Sequence, residues 1–255
     1  MTNPLVTKLS RFIDFDDRDI AAIERLTRHP RRMKSGEDLI DEGTKPSNVF
    51  LLLEGWGYRY SILKNGNRQI FGYLLPGDLC DVHVFMLDRM DHSIGLLSDA
   101  KVVKIPADEM LDIIGTYPRI ERALWIATLV DESTLRQWIV NIGQRKAFER
   151  IGYLFCELWH RMGSVGLVSD KDQFDLPLTQ TELADTLGLT SVHINRTLSR
   201  LREQALITLS KGRLTILDPE RLADACGFTG SYLRLEPTSG HATLRSRLSL
   251  VRERS

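Results

Sequence analysis

The residues with the clearest chemical meaning lie between Thr179 and Arg213. Thr179 and Glu182 form a T-x-x-E capping box, in which a hydroxyl and a carboxylate satisfy N–H groups left free at a helix start. Leu183, Ala184 and Leu187 give that helix an apolar face, and Gly188 ends it by reaching the left-handed conformation. Thr190 stands where it can cap a second helix, in which Ile194, Leu198 and Leu201 recur at i, i+4 and i+7. The opposite face carries Val192, Arg196 and Ser199, flanked by Asn195 and Arg200. Two short helices around a glycine turn, the second polar outward, are the arrangement that lays a helix in the major groove of DNA. Arg196 can pair bidentately with guanine, Asn195 can meet adenine or phosphate, and Val192 can touch a thymine methyl. Gln180 can meet a phosphate beside the free N–H groups of the first helix. Ser191 and His193 at the start of the second helix, with Thr179, Thr190, Lys211 and Arg213, complete the candidate interface.

Charge must be read locally. Over 255 residues, 34 basic side chains balance 34 acidic ones, which by itself argues against a nucleic-acid binder. From 190 to 213, however, Arg196, Arg200, Arg202, Lys211 and Arg213 face a single acid, Glu203. Contacts from such a patch to phosphates supply affinity and make it salt-dependent. The histidines, at 29, 83, 92, 160, 193 and 241, lack the His-x-His spacing of a jelly-roll metal enzyme, and no Ser/His/Asp or Cys/His constellation is legible. No enzyme and no metal site are expected. Cys80, Cys156 and Cys226 lie far apart in the chain, which excludes a disulfide framework or CxxC site and fits a reducing cytosol. MTNPLVTKLSRF lacks a signal-peptide core, and no apolar run is long enough for a membrane span.

Other elements must position this segment. Phe12, Phe15, Ile20, Ile23 and Leu26 predict a helical lead-in capped at Asp16 or Asp17. Glycines at 36, 43, 55, 66 and 77 punctuate short β-type runs at 49–53, 58–62 and 69–75, with Asn65-Gly66 as a hairpin turn, and predict a β-roll. A short helix over 109–115 leads to a long one starting at Pro118 and ending near Ile142. Leu124, Thr128, Asp131, Leu135, Trp138 and Ile142 form a seam on it, which a second copy of the chain is expected to bury. The competing reading packs that stripe against the chain's own roll. A helix over 146–161, a polar loop, the two short helices and a hairpin turning at Lys211-Gly212 make a second unit, followed by a last helix from Pro219 to about Ala225. The expected class is α+β: a roll with its lead-in over 1–117, a dimerisation helix over 118–143, a winged helix-turn-helix over 144–228 and a mobile tail over 229–255.

Gly36-Glu37-Asp38-Leu39-Ile40 with Glu42-Gly43, the run Phe50–Gly55, Leu75-Pro76-Gly77-Asp78, Arg150-Ile151 and Thr179–Gly188 occur in an order that resembles the cyclic-AMP-receptor/fumarate-nitrate-regulator (Crp/Fnr) family of bacterial transcription regulators, over about residues 12–227. The resemblance implies a homodimer on a palindromic duplex site, with RNA polymerase as a further partner. It also implies an effector pocket between roll and long helix, near Gly77, Asp78, Leu79, His92, Ser93 and Leu135. Nucleotide-binding members hold the ribose with Gly-Glu-Leu and the phosphate with Arg followed by Ser or Thr. Here those elements read Gly77-Asp78-Leu79 and His92-Ser93, with Arg89 the nearest alternative. A mostly neutral histidine replaces a fixed guanidinium poorly, which disfavours cyclic AMP. Leu135 and Arg136 further replace the small hydroxyl residues that such members place on the purine. An iron–sulfur sensor would need an N-terminal cysteine cluster, and no cysteine precedes Cys80. A haem sensor would need an axial ligand, for which His83 is a candidate, but a lone histidine in a strand region is more often structural, and haem is not expected. Cys80 reads as a buried small hydrophobe rather than a redox thiol. The leading expectation is a dimeric, sequence-specific regulator of transcription. The alternative is a cyclic-nucleotide-binding module acting on a protein partner.

Overall fold

The computed structural model describes residues 3–234. Two helices lead in, α1 (Pro4–Leu9) and α2 (Asp17–Leu26). Asp16 caps α2 in a reciprocal box with Asp19. The strands β1 (Arg31–Met33), β2 (Asp38–Ile40), β3 (Asn48–Glu54), β4 (Gly57–Ile62), β5 (Arg68–Leu74), β6 (Leu79–Cys80), β7 (Ser93–Leu96) and β8 (Ala100–Pro106) follow. They build two antiparallel four-stranded sheets, in the orders β1-β8-β3-β6 and β2-β7-β4-β5. Val49 and Leu51 of one sheet and Ile94 of the other are fully buried in the core between them, as period-2 alternation requires. The β4–β5 hairpin turns through Gly66 at φ 85°, and Asn65 keeps a negative φ, so the turn needs only one left-handed residue.

The same alternation puts Tyr58 and Tyr60 on one face of β4, stacked at 4.9 Å, and Arg59 on the other. Register slips at Arg59/Tyr60, which leaves Phe71 of β5 without a cross-strand partner and turns it toward Arg59's side. The turn before β6 requires Gly77: its φ is 90°, and a Cβ there would lie 2.7 Å from the Pro4 carbonyl oxygen.

After α3 (Ala107–Thr116), the long helix α4 (Pro118–Gln144) crosses the roll. Arg119 ties its start to Asp16 and Asp19 at the head of α2. The predicted seam needs correcting. Leu124 is 2% exposed within the roll's core, and Trp138 is 5% exposed, edge-on to Tyr73 with its Nε1 donating to Glu157. Both side chains are therefore engaged inside one protomer, as the competing reading held. The outward row is Trp125, Leu129, Glu132, Arg136, Ile139 and Gly143, the predicted row advanced by one residue, or about 100° around the helix. Leu135 remains exposed beside this row, with Thr128, Asp131 and Ile142 only partly so.

The second unit is α5 (Ala147–Ser164), β9 (Gln173–Asp175), α6 (Gln180–Leu187), α7 (Ser191–Glu203), β10 (Ile207–Ser210), β11 (Arg213–Ile216) and α8 (Pro219–Cys226). Its sheet has the order β10-β11-β9. The strand β9 was not expected, because three residues are too short to show alternation. Residues 229–234 also depart from the expected free tail: Leu233 is buried, and the Tyr232 hydroxyl donates to Glu157 at 2.8 Å. The rest of the predicted tail lies outside the described residues. Among the described residues, no helix is long and apolar enough to cross a membrane.

Candidate functional site

Two regions carry the chemistry. The first is the α6–α7 pair. Glu182 N–H donates to Thr179 Oγ1 at 3.2 Å, and Thr179 N–H donates to Glu182 Oε2 at 2.7 Å, the capping box read from sequence. Gly188 adopts φ 61°, ψ 40° at the end of α6, and Thr190 accepts from His193 N–H at 3.3 Å to start α7. Leu198 and Leu201 are buried, and Ile194 is fully buried, so rotation of α7 about its axis is fixed. The face turned outward presents Ser191, Val192 (68% exposed), His193, Asn195 and Arg196, with Ser199 half-buried and Arg200 exposed at its edge.

These groups are not equally free. Arg196 makes no ion pair among the described residues, whereas the Arg200 guanidinium lies 5.2 Å from the centre of the Phe148 ring. Arg213 meets Asp175 at 3.2 Å, an exposed pair that contributes little and gives way to a stronger anion. Lys211 and Gly212 turn the β10–β11 hairpin with φ values of 51° and 72°, so the turn itself projects Lys211 at the wing tip. The hydroxyls of Thr179 and Thr190 are committed to their caps, and Gln180 is exposed at the first residue of α6.

The second region is a cavity of about 470 Å³ between the roll and α4. Gly77, Leu79, His92 and Leu135 line it as expected. Asp78 and Ser93 do not. Asp78 is 5% exposed, paired with Lys8 and with Arg161 at 2.8 Å, and accepts from Leu75 N–H at 2.9 Å. Burial alone would raise its pKa, but Lys8 and Arg161 hold it below the usual carboxylate range. Ser93 accepts from Glu42 N–H at 2.9 Å. Arg89 is exposed and does not line the cavity.

The cavity's cation is one that motif comparison passed over. Arg59 reaches Asp81 at 3.3 Å and Asp131 of α4 at 3.6 Å. Burial lowers the guanidinium's pKa, but these two carboxylates more than offset it and leave it raised. Asp81 is held at about 2, since Arg59 and His92 overcome the burial that would raise it. His92 sits between Asp81 (Nε2, 3.1 Å) and Asp91 (Nδ1, 2.7 Å), and these partners raise its pKa against burial. The sequence signal for Arg59 was a single charge between two tyrosines, Tyr58 and Tyr60, in a β-type run. Asp131, expected in the dimer seam, faces this cavity instead.

The two regions are joined by side chains. Arg161 of α5 donates to the Tyr73 carbonyl at 2.7 Å as well as binding Asp78 beside the cavity. Arg68 of β5 pairs with Asp185 of α6 at 2.9 Å, the Tyr73 hydroxyl bonds the Thr186 hydroxyl, and Gln69 donates to the Thr186 carbonyl at 3.3 Å. Helix α6 is therefore anchored to the strand that forms the cavity's wall. Glu157, fully buried, accepts from Trp138, Tyr232 and Arg161, and burial holds its pKa raised.

Sequence comparison divides along the same two regions. A cyclic nucleotide-binding domain matches residues 30–117, and a Crp-like helix-turn-helix domain matches residues 149–225. The chain is 28% identical over 211 residues to the nitrogen fixation regulation protein FixK of Bradyrhizobium diazoefficiens, covering 80% of this chain and 85% of that protein. It is 25% identical over 230 residues to the transcriptional activator protein anr of Pseudomonas aeruginosa, covering 90% and 91% respectively. The solved structure of FixK2 from Bradyrhizobium japonicum shares the fold, with a TM-score of 0.69 and 21% identity over 77% of this chain and 96% of that one. A nucleotide-binding-type roll, a long helix and a Crp-like helix-turn-helix, met in that order and matched by regulators over most of their own length, show that the chain belongs to the Crp/Fnr family of DNA-binding transcription regulators.

Proposed function

We propose that two copies of the chain pair along α4 and set their α7 helices into successive major grooves of a two-fold-symmetric duplex site. Half-sites would then lie about 34 Å apart. Val192, Asn195 and Arg196 read base edges in this account. Gln180, Ser191, His193, Ser199, Arg200, Lys211 and Arg213 meet the sugar–phosphate backbone, while Thr179 and Thr190 cap the two helices that place them. The observation that carries the reading is the division of α7: one side is sealed into the core, and the other presents an unpaired Arg196 beside a 68%-exposed Val192. Pairing is supported by the exposed Trp125, Leu129, Ile139 (71%) and Val140 on α4, an apolar strip that a monomer leaves in water.

The cavity beside α4 is the effector site in this reading. An effector would act by favouring one placement of α5 and α6, through Asp78–Arg161 and through the β5 contacts to Asp185 and Thr186. Cofactor chemistry finds no fitting donor set. Cys80, Cys156 and Cys226 are all buried, and no group of three His, Cys, Asp or Glu side chains among the described residues is placed to hold a metal. His83 lines the cavity and stacks on Trp125, and its buried Nε2 has no hydrogen-bond partner among the described residues. Family membership supports RNA polymerase as a further partner and the cytosol as location in this reading.

Selection of bound sequences from a random duplex pool tests the reading. Enrichment of an inverted repeat with half-sites one helical turn apart is expected. Recovery of no enriched motif would contradict it.

A further inference from the structure

We infer that the cavity between the roll and α4 accepts an uncharged, predominantly apolar small molecule rather than a nucleotide or any other anion. The inference rests on reading this cavity as the effector site and names the class of ligand it takes.

Every charge on its wall already has an opposite charge beside it. Arg59 lies between Asp81 and Asp131. Lys8 and Arg161 share Asp78, and Arg161 also reaches Glu157 at 3.4 Å. His92 lies between Asp81 and Asp91, and Glu132 meets Arg136 at 2.9 Å. A phosphate entering here would have to take Arg59 from its carboxylates, leaving Asp81 with His92 alone and Asp131 without its cation, which opposes binding. A cation would face the converse loss. The lining cations Lys8, Arg59 and Arg161, even with a protonated His92 added, do not outnumber the lining carboxylates Asp81, Asp91, Asp131 and Glu132, so the wall carries no excess of positive charge to attract an anion.

The remaining wall is mostly apolar, with His83, Thr128 and Thr134 as its neutral polar members, and the buried His83 Nε2, without a hydrogen-bond partner among the described residues, offers a neutral ligand one polar contact. Leu5, Leu9, Phe71, Leu79, Met90 and Leu135 contribute from α1, β5, β6, the loop before β7 and α4. The volume falls inside the range of sites that enclose a drug-sized molecule, about 300–1,000 Å³. Dispersion and burial of apolar surface are therefore most of what the site offers a ligand.

A matched pair of dyes separates charge from shape. N-phenyl-1-naphthylamine is uncharged, and 1-anilinonaphthalene-8-sulfonate has the same rings with one anionic group added. Each is titrated by fluorescence into the full-length protein without DNA, with cyclic AMP as competitor. The uncharged dye should saturate at one site per chain and bind at least tenfold more tightly than the sulfonate, and cyclic AMP should not displace it. Ala127→Trp, which fills the cavity from α4, should abolish the uncharged dye's signal, and Leu135→Trp provides a second blocking variant. Asp131→Asn, which leaves Arg59 one carboxylate fewer, should narrow the ratio between the dyes several-fold. The inference is overturned if the sulfonate or cyclic AMP binds the blocked site as tightly as the uncharged dye. It is also overturned if neither dye binds, or if both blocking variants leave the signal unchanged. Duplex selection with the same preparation keeps the two readings apart: an intact motif with a failed dye ratio removes only the ligand class, and the reverse result removes only the DNA reading.

Discussion

Replacing Asp78 by Asn removes one charge and little else. The amide keeps an oxygen for the Leu75 N–H, and the residue's volume hardly changes. What is lost is the carboxylate shared by Lys8 and Arg161, whose own side chains are 19% and 15% exposed. Removing one partner of a buried ion pair costs about 3–5 kcal/mol. Arg161 retains Glu157, and Lys8 is exposed enough to regain water, so the expected loss is somewhat smaller, about 2–3 kcal/mol. At about 2–4 °C per kcal/mol for a chain of this size, the melting temperature at pH 7 should fall by roughly 4–12 °C. The pH dependence follows from the sign of the shift. Asp78 has a folded-state pKa below the ordinary carboxylate value of 3.8, so its contribution is fully present above that value and is lost as pH falls through the folded pKa. The gap between wild type and Asp78→Asn should therefore begin to narrow below about pH 4, be clearly smaller at pH 3, and vanish only as pH falls through the folded pKa of about 2. Thermal unfolding followed by circular dichroism at pH 7, 5 and 3 measures it. Equal melting temperatures at pH 7, or a gap that persists undiminished into acid, would refute the account of Asp78 as an ionic clasp between roll and α5.

Other consequences are as specific. Ile139→Glu, on the outward row of α4, should convert the proposed dimer to monomer in sedimentation velocity, whereas Trp138→Ala should lower stability by about 3–5 kcal/mol without abolishing that pairing in the surviving folded protein. The opposite pattern would restore the seam through Trp138. In a double-mutant cycle, Arg68→Ala and Asp185→Ala should couple by about 0.5–1.5 kcal/mol in urea unfolding, and additive effects would detach β5 from α6. Burial raises the pKa of Cys80, so its thiol should resist Ellman's reagent at pH 8 in the native protein and react only on unfolding. A Cys80 thiol that reacts at once in the native state would contradict its placement.

Legibility followed the range of the interactions. The α6–α7 pair depends on neighbours in sequence: Thr179 with Glu182, Gly188 after Leu187, and the Ile194, Leu198 and Leu201 row. Each of these is decided within a few residues, so the motif could be placed before any fold was known. The phase of α4 could not. Ile120, Ala123, Leu124, Trp125, Ile126, Ala127, Leu129 and Val130 are apolar nearly all the way round the helix, so spacing does not select the face that looks inward. Leu124 is drawn into the roll's core, and Trp138 is held by Glu157, nineteen residues away. The cavity's charge pattern is more distant still, since Arg59 meets its second carboxylate only when α4 folds back across β4. Cys156 and Cys226, far apart in sequence, have Sγ atoms 3.9 Å apart because α5 packs on α8. Asp78 illustrates the limit of motif transfer. Its place in the Gly77-Asp78-Leu79 turn suggested a ligand contact, but Lys8 of α1 and Arg161 of α5, 70 and 83 residues away in sequence, already hold its carboxylate.

The central claim is that the outward face of α7 reads DNA. Its most direct measurement is the affinity of wild type and Arg196→Ala for the selected duplex and for its single-base variants, at matched salt. The account predicts a loss of about 1–3 kcal/mol on the preferred site, relaxed preference at one base pair in each half-site, and little change on unrelated DNA. Unchanged affinity together with unchanged base preference would contradict it.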